Sequence, residues 1–243
     1  IGQAPTDVPL TGSDLADDII SLAKMSTGTD GNIISYDASG NPLAIATGSD
    51  GQVLTSAGAG QPCAFETLPA SGSWVLIGTQ VASSSAALTQ TGLNSTYDTY
   101  AVVISDLVPA SDGESVRMTV GDSGGLDSAG SDYSFHHTRS THASATYAAV
   151  ASTANANCAL SGSCGNAAGE GYGGILYIHR PGDGTMQPAF TWHGTSVTDS
   201  TAGMTGAGTG KRNAVITLDR VSIFFNSGNI ATGRVSVFGI AHT

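Results

Sequence analysis

Thr27-Gly28-Thr29-Asp30-Gly31-Asn32-Ile33-Ile34 returns as Thr47-Gly48-Ser49-Asp50-Gly51-Gln52-Val53-Leu54, an offset of 20 residues. The correspondence continues through Gly40/Gly60, Asn41/Gln61, Pro42/Pro62, Leu43/Cys63, Ala44/Ala64 and Ile45/Phe65. Internal periodicity implies an architecture before it implies any chemistry. Each copy holds a Gly-rich turn, two adjacent apolar residues, a second turn at Asp37–Gly40 or Ala57–Gly60, and a short apolar segment after Pro. That pattern predicts two very short strands around a reversal. A lone hairpin is marginal in water. Ile33, Ile34, Ile45, Val53, Leu54 and Phe65 therefore need cover from neighbours, most simply from identical chains wound round a common axis. Residues 27–66 read as the shaft of a symmetric fibre.

The stretches 28–42 (GTDGNIISYDASGNP) and 46–56 (ATGSDGQVLTS) resemble the repeat in tail-fibre and related virion proteins of bacteriophages, those of marine phages in particular. Residues 225–233 (FNSGNIATG) and the ending Phe238-Gly239-Ile240-Ala241 resemble the final strands of such proteins, and 97–109 does so more loosely. The resemblance implies a homotrimeric virion appendage. Its N-terminal region would join other virion proteins, and it would work on the surface of the extracellular particle.

Charged residues make up 11% of the chain, against about 25% in ordinary globular proteins. The sequence has 33 glycines and two lysines, Lys24 and Lys211. Such a surface is coated with Ser, Thr, Asn and Gly, which suits a protease-resistant exterior protein. The net charge of -11 argues against nucleic acid, which needs clustered Lys and Arg. No apolar run approaches the ~20 residues that span a bilayer. No basic-then-apolar leader is visible after Ile1, and the true N-terminus is expected to be processed or to lie outside this sequence. Of three cysteines, Cys63 reads as a buried hydrophobe. Cys158 and Cys164 either close a small loop or stay unpaired, as assembly in a reducing cytosol would leave them.

Residues 1–12 read as an extended arm, and Ser13–Lys24 as a short helix capped by Ser13 or Asp14. Leu15, Ile19 and Leu22 form its apolar stripe. At about three turns it is too short to stand alone, so it packs on its own shaft or on sister copies. Residues 67–73 read as a linker, and a different texture fills 74–243. Trp74–Ile77, Thr99–Ile104, Val116–Val120, Gly173–Ile178, Phe190–His193, Ala214–Leu218, Val221–Phe225 and Arg234–Phe238 read as strands. The expected fold is mostly β: a short N-terminal helix and repeat shaft, then an antiparallel sandwich of jelly-roll type, assembled as a trimer. The interval 121–171, rich in Ser, Ala and Gly, is expected to hold one or two irregular strands and the largest loops.

Several spellings of enzyme motifs fail on context. Gly121-Asp122-Ser123-Gly124-Gly125 copies the nucleophile signature of trypsin-like proteases, yet no histidine precedes His136 to supply the base in that family's order. Gly169–Gly174 spells G-x-G-x-x-G but leads into a strand instead of a helix. Gly206–Arg212 hints at a phosphate loop, but Thr205 and Arg212 stand where Gly and Ser/Thr belong. Both read as loops. His136 and His137 point to opposite faces of an extended segment, so a metal site would need one histidine per chain meeting at an axis, and no metal or cofactor is expected. His193 reads as a packed core histidine beside Trp192. Three glutamates, Glu66, Glu114 and Glu170, and the absence of a long solenoid speak against a glycan-cleaving tailspike, so no enzymatic activity is expected.

Sugar binding needs aromatic faces beside carboxylates and amides. Tyr133, Phe135, Tyr147 and Tyr172 lie in or beside the long interval with Asp127, Asp132, Asn155, Asn157 and Glu170. These aromatics either meet a host surface glycan or close the edges of the sandwich. The expected role is a virion tail fibre whose C-terminal sandwich contacts the host. The alternative is a capsid decoration, head fibre or tail adaptor with no receptor.

Overall fold

A computed structural model of the chain describes residues 27–67, 73–142 and 144–241. Among these there is no α-helix, and every named strand pairs antiparallel. The helix expected at Ser13–Lys24, with Leu15, Ile19 and Leu22, lies outside the described residues. The chain divides into two compact units, residues 1–69 and 70–243.

In the first unit each repeat copy is a hairpin. Strand β1 (Ile33–Tyr36) pairs with β2 (Pro42–Ile45), and β3 (Gln52–Thr55) pairs with β4 (Ala64–Thr67). The turns repeat along with the sequence. Asn32 N–H donates to the Thr29 carbonyl at 3.2 Å, and Gln52 N–H donates to Ser49 at 3.1 Å. The residue before each donor, Gly31 or Gly51, sits at φ +78° or +82°, where only glycine is unstrained. The pairing does not repeat. Ile33 faces Ile45 and Ile34 faces Ala44, whereas Val53 faces Glu66 and Leu54 faces Phe65, a slip of one residue. Such a slip turns a strand's side chains to the opposite face, and four-residue strands without a sealed face do little to forbid it. Of the six residues expected to need cover, Ile45 is buried and Val53 and Phe65 are half-buried. Ile34 stays 59% exposed, Leu54 45% and Ile33 37%.

The second unit is two sheets around one core. The larger has eight strands, in spatial order β11 (Ser144–Asn155), β10 (Tyr133–Thr141), β15 (Gly203–Arg212), β14 (Ala189–Val197), β13 (Gly171–His179), β7 (Thr99–Pro109), β17 (Ile230–Ile240) and β5 (Trp74–Val81). The smaller runs β12 (Cys158–Cys164), β8 (Glu114–Asp122), β16 (Arg220–Phe225), β6 (Leu88–Thr91), with β9 (Gly125–Leu126) folded back on β8. Alternation sends Tyr100, Val102, Leu176, Ile178, Trp192 and Val237 inward from the larger sheet, to meet Val116, Met118, Val120, Leu160, Ile223 and Phe225 of the smaller. Trp192 Nε1–H donates across the core to the Leu160 carbonyl at 3.1 Å, so its one polar atom is satisfied where water cannot reach.

Several expectations change. The interval 121–171 holds β9, β10, β11 and β12, two of them nine and twelve residues long, where one or two irregular strands were expected. Gly206–Arg212 is not a loop but most of β15. Its inward glycines make room for large neighbours: a Cβ on Gly208 would lie 2.5 Å from the Trp192 ring and 2.6 Å from His137 Cβ. Gly169–Gly174 likewise enters β13 at Gly171. Conversely Ala214–Leu218 is no strand. It keeps a period-two burial, ending in the fully buried Leu218, but crosses from β15 to β16 with no neighbour in register to complete a ladder. Gly121–Gly125 is the expected turn, with Asp122 Oδ1 accepting from Gly124 N–H at 2.8 Å. Cys158 and Cys164 are unpaired and buried, held at the two ends of β12, ~20 Å apart at the rise of a strand, and Cys63 is half-buried.

Candidate functional site

Register determines what the outer face of the larger sheet presents. One row crosses all eight strands: Leu76, Phe238, Ala101, Tyr177, Thr191, Thr209, His136 and Ala151. The next runs Ser236, Val103, Ile175, His193, Ala207, Thr138 and Ala149. Both rows change character between β13 and β14. On one side the face is aliphatic and aromatic; on the other it offers hydroxyls, imidazoles and methyls. His136 and His193 are exposed there, and His179 Nε2 lies 3.1 Å from Thr191 Oγ1. His193 is thus an outward residue and not the packed core histidine expected from its neighbour Trp192. The core histidine is His137.

The four aromatics read as receptor contacts divide three to one. Tyr133, Phe135 and Tyr172 are buried, on inward positions of β10 and β13. They are not free to meet a ligand, because strands run where loops were expected. Tyr147 on β11 is 78% exposed. The polar residues grouped with them serve the fold: Glu170 Oε2 accepts from Ala167 N–H at 2.8 Å, and Asn155 Oδ1 from Asn157 N–H at 3.4 Å.

Tyr133 is the centre of a buried lock. Its hydroxyl accepts from Val120 N–H at 2.8 Å and lies 3.1 Å and 3.0 Å from the Val120 and Asp127 carbonyls. Burial pushes that hydroxyl far above the usual phenol range. Arg212 from β15 reaches the Asp127 carboxylate at 2.8 Å and the Asp132 carboxylate at 3.1 Å, and its guanidinium lies 6.0 Å from the Tyr133 ring centre. A fork of donors satisfied by two carboxylates and stacked on an aromatic is an arrangement only Arg provides.

His137 stacks on Phe135, with ring centres 6.2 Å apart, and meets the edge of Trp192 at 6.3 Å. Neither of its ring nitrogens has a hydrogen-bond partner among the described residues. Burial first, then nearby Arg139, hold it below the usual imidazole range; the Ala159 backbone opposes this less strongly, short of hydrogen-bond geometry. Burial also pushes the Cys158 thiol up to about 12, so it is an inert core residue.

On the polar half of the outer face two open depressions lie side by side. One of about 330 Å³ is bordered by Tyr147, His193, Arg139, Thr138, Ser140 and Thr205. The other, of about 510 Å³, lies between His136, Thr209, Lys211 and Thr153. An exposed phenol ring over a floor of hydroxyls and imidazoles suits a flat, polyhydroxylated ligand: the ring takes an apolar sugar face and the hydroxyls exchange hydrogen bonds with the rim. No three His, Cys, Asp or Glu side chains converge as a metal site among the described residues. Thr191 and Thr205 escape the sequence reading, and His193 enters it only as a core residue. The available signal was the alternation Thr205-Gly206-Ala207-Gly208-Thr209-Gly210-Lys211, which is a strand with one bare face. No family model matches the chain, and no curated protein or solved structure matches it significantly.

Proposed function

We propose that this chain is a structural subunit of a bacteriophage virion fibre, a homotrimer whose C-terminal domain meets the host surface and whose N-terminal region joins other virion proteins. The observation that carries the proposal is the uncovered apolar surface of the twin hairpins. Ile34 and Leu54 remain 59% and 45% exposed in the single chain, and marginal hairpins of this size need outside cover. The strand order of the second unit supports a jelly-roll head. Counting β5, β6, β7, β8, β12, β13, β16 and β17 as one to eight, the larger sheet contains 1-8-3-6 and the smaller 2-7-4-5, the interleaving of two Greek keys. Strands β10, β11, β14 and β15 are then additions that extend the first layer.

The added strands carry the depression beside Tyr147, which we assign to a neutral host-surface glycan. Three such sites on one fibre, and several fibres per particle, multiply a weak contact into firm attachment. Sedimentation equilibrium of the purified full chain tests the assembly: three chains per particle are expected, and a lone folded chain overturns it. Binding to purified host-surface polysaccharide tests the contact. Tyr147→Ala should abolish it without changing the mass, and undiminished binding by that variant would remove Tyr147 from the site.

A further inference from the structure

The apolar half of the larger sheet's outer face calls for an occupant. Trp74 is 42% exposed and Leu76 57%. Trp74 lies 5.7 Å from Phe238 and 6.5 Å from Tyr177, ring centre to ring centre. With Ile240 and Ile175 alongside in register, these residues form one continuous aromatic surface over four strands. Soluble domains seldom leave such a patch open to water, and aromatics of this kind concentrate at the centres of interfaces.

We propose that this half-face is the surface through which the head domains of identical chains pack against one another, an inference that rests on the trimeric reading above. The charge pattern selects a copy of the same chain over a foreign partner. Around a symmetry axis the same patch contributes from every copy, so a charge within it would stand close to its own like. The chain carries a net -11, yet no Asp, Glu or Lys lies among the outward residues here. The nearest charged residues stand at its borders: Arg234 at the far end of β17 beyond Ser236, and Asp98 and Arg180 next to Thr99 and His179, which share a register row with Ile240. Chain order points the same way. The strand that bears Trp74 is the first after the repeat unit, whose exposed Ile34 and Leu54 already demand sister chains.

Trp74 reports on this directly, because the only other tryptophan, Trp192, is 3% exposed. Iodide quenching of the full chain, measured beside its mass by sedimentation, should find Trp74 shielded in the trimer. Leu76→Lys, at an exposed position that leaves the core intact, should unmask Trp74 and weaken association about tenfold, the equivalent of ~1.4 kcal/mol. A trimer in which Trp74 is freely quenched overturns this interface while leaving the trimer standing. A monomer in which Trp74 is shielded assigns the face to the chain's own residues 1–26 and overturns it too. A Leu76→Lys trimer that is equally tight and equally shielded does the same. A monomer with Trp74 open sinks the trimeric reading itself.

Discussion

The two halves of the larger sheet solve opposite packing problems. In β5, β17, β7 and β13 large residues stand on both faces: Val237, Val102 and Leu176 inward, Phe238, Trp74 and Tyr177 outward. In β14, β15, β10 and β11 the outward face is Thr, Ala, Ser and His with Tyr147 and Lys211, and the inward face mixes Trp192, His137 and Phe135 with Gly206, Gly208 and Gly210. The first half is sealed inside and greasy outside, as a layer between two cores would be. The second has one buried face only, and there large rings fill the space that glycines leave. A strand in the second half therefore tolerates change outside and almost none inside, whereas the first half would be sensitive on both sides in the proposed assembly.

The largest expected effect comes from breaking the clamp that joins β15 to the turn before β10. Arg212→Met would leave the Asp127 and Asp132 carboxylates, now 25% and 13% exposed, without their counter-charge. Removing one partner of a buried pair costs about 3–5 kcal/mol, and the partial exposure of Asp127 argues for the lower end, ~3 kcal/mol. Chemical denaturation should show it as a lowered midpoint with an unchanged slope.

Next is the glycine complement. Gly208→Ala pushes a methyl group against the Trp192 ring and His137, an overpacking expected to cost ~1–3 kcal/mol. Ala207→Ser, its neighbour on the open face, should stay within ~0.5 kcal/mol. Equal effects of the two on thermal unfolding would mean that the inward face of β15 is not the constrained one.

These glycines also explain where the sequence misleads. The repeat and its turns were legible because identical residues recur at identical spacing and glycine is required at Gly31 and Gly51. Strands with aliphatic alternation, such as β8 and β17, were legible for the same kind of reason. Strand β15 was not, because a glycine opposite a tryptophan has no hydrophobicity of its own; its meaning lies in a residue sixteen positions away. Strand β11 hid behind Ala, Ser and Thr, which have weak preferences in either direction. The site suffered in turn: with β10 hidden among expected loops, Tyr133 and Phe135 looked available, and the outward Thr138 and Ser140 further along the strand went unnoticed. Even the repeat concealed something, since twin sequences pair one residue out of step.

A third test uses acid. His137 is held neutral by burial and by Arg139, with Arg117 and His136 opposing its charge as well. The unfolded chain protonates it as pH falls through its ordinary value of about 6.5, while the folded chain does not until lower pH. The unfolded state then binds more protons, so stability declines on acidification, with a slope of at most ~1.4 kcal/mol per pH unit from this one group. Thermal unfolding at pH 7.5 and pH 5 should show the decline, and His137→Phe should flatten it over that range. An unchanged slope in the variant would place the acid sensitivity elsewhere.

The smallest effects on folding separate the two outer half-faces most sharply. Tyr147 and Leu76 are both well exposed, at 78% and 57%, and neither belongs to the core. Tyr147→Ala and Leu76→Ala should each shift the unfolding free energy by no more than ~0.5 kcal/mol, within the scatter of a careful melt. Their consequences for binding should cross over. Tyr147→Ala removes the ring proposed to lie against a sugar, so on that proposal polysaccharide binding falls while the sedimenting mass stays that of the wild type. Leu76→Ala trims the surface proposed to be shared with sister heads, so on that proposal Trp74 becomes easier to quench while each head keeps its affinity for a monovalent oligosaccharide. Avidity for an intact polymer would still fall in the second variant if the heads splay apart, which is why the monovalent ligand is the better probe. If either substitution moved both readouts together, the change of character between β13 and β14 would mark no division of labour, and the outer face would act as a single surface.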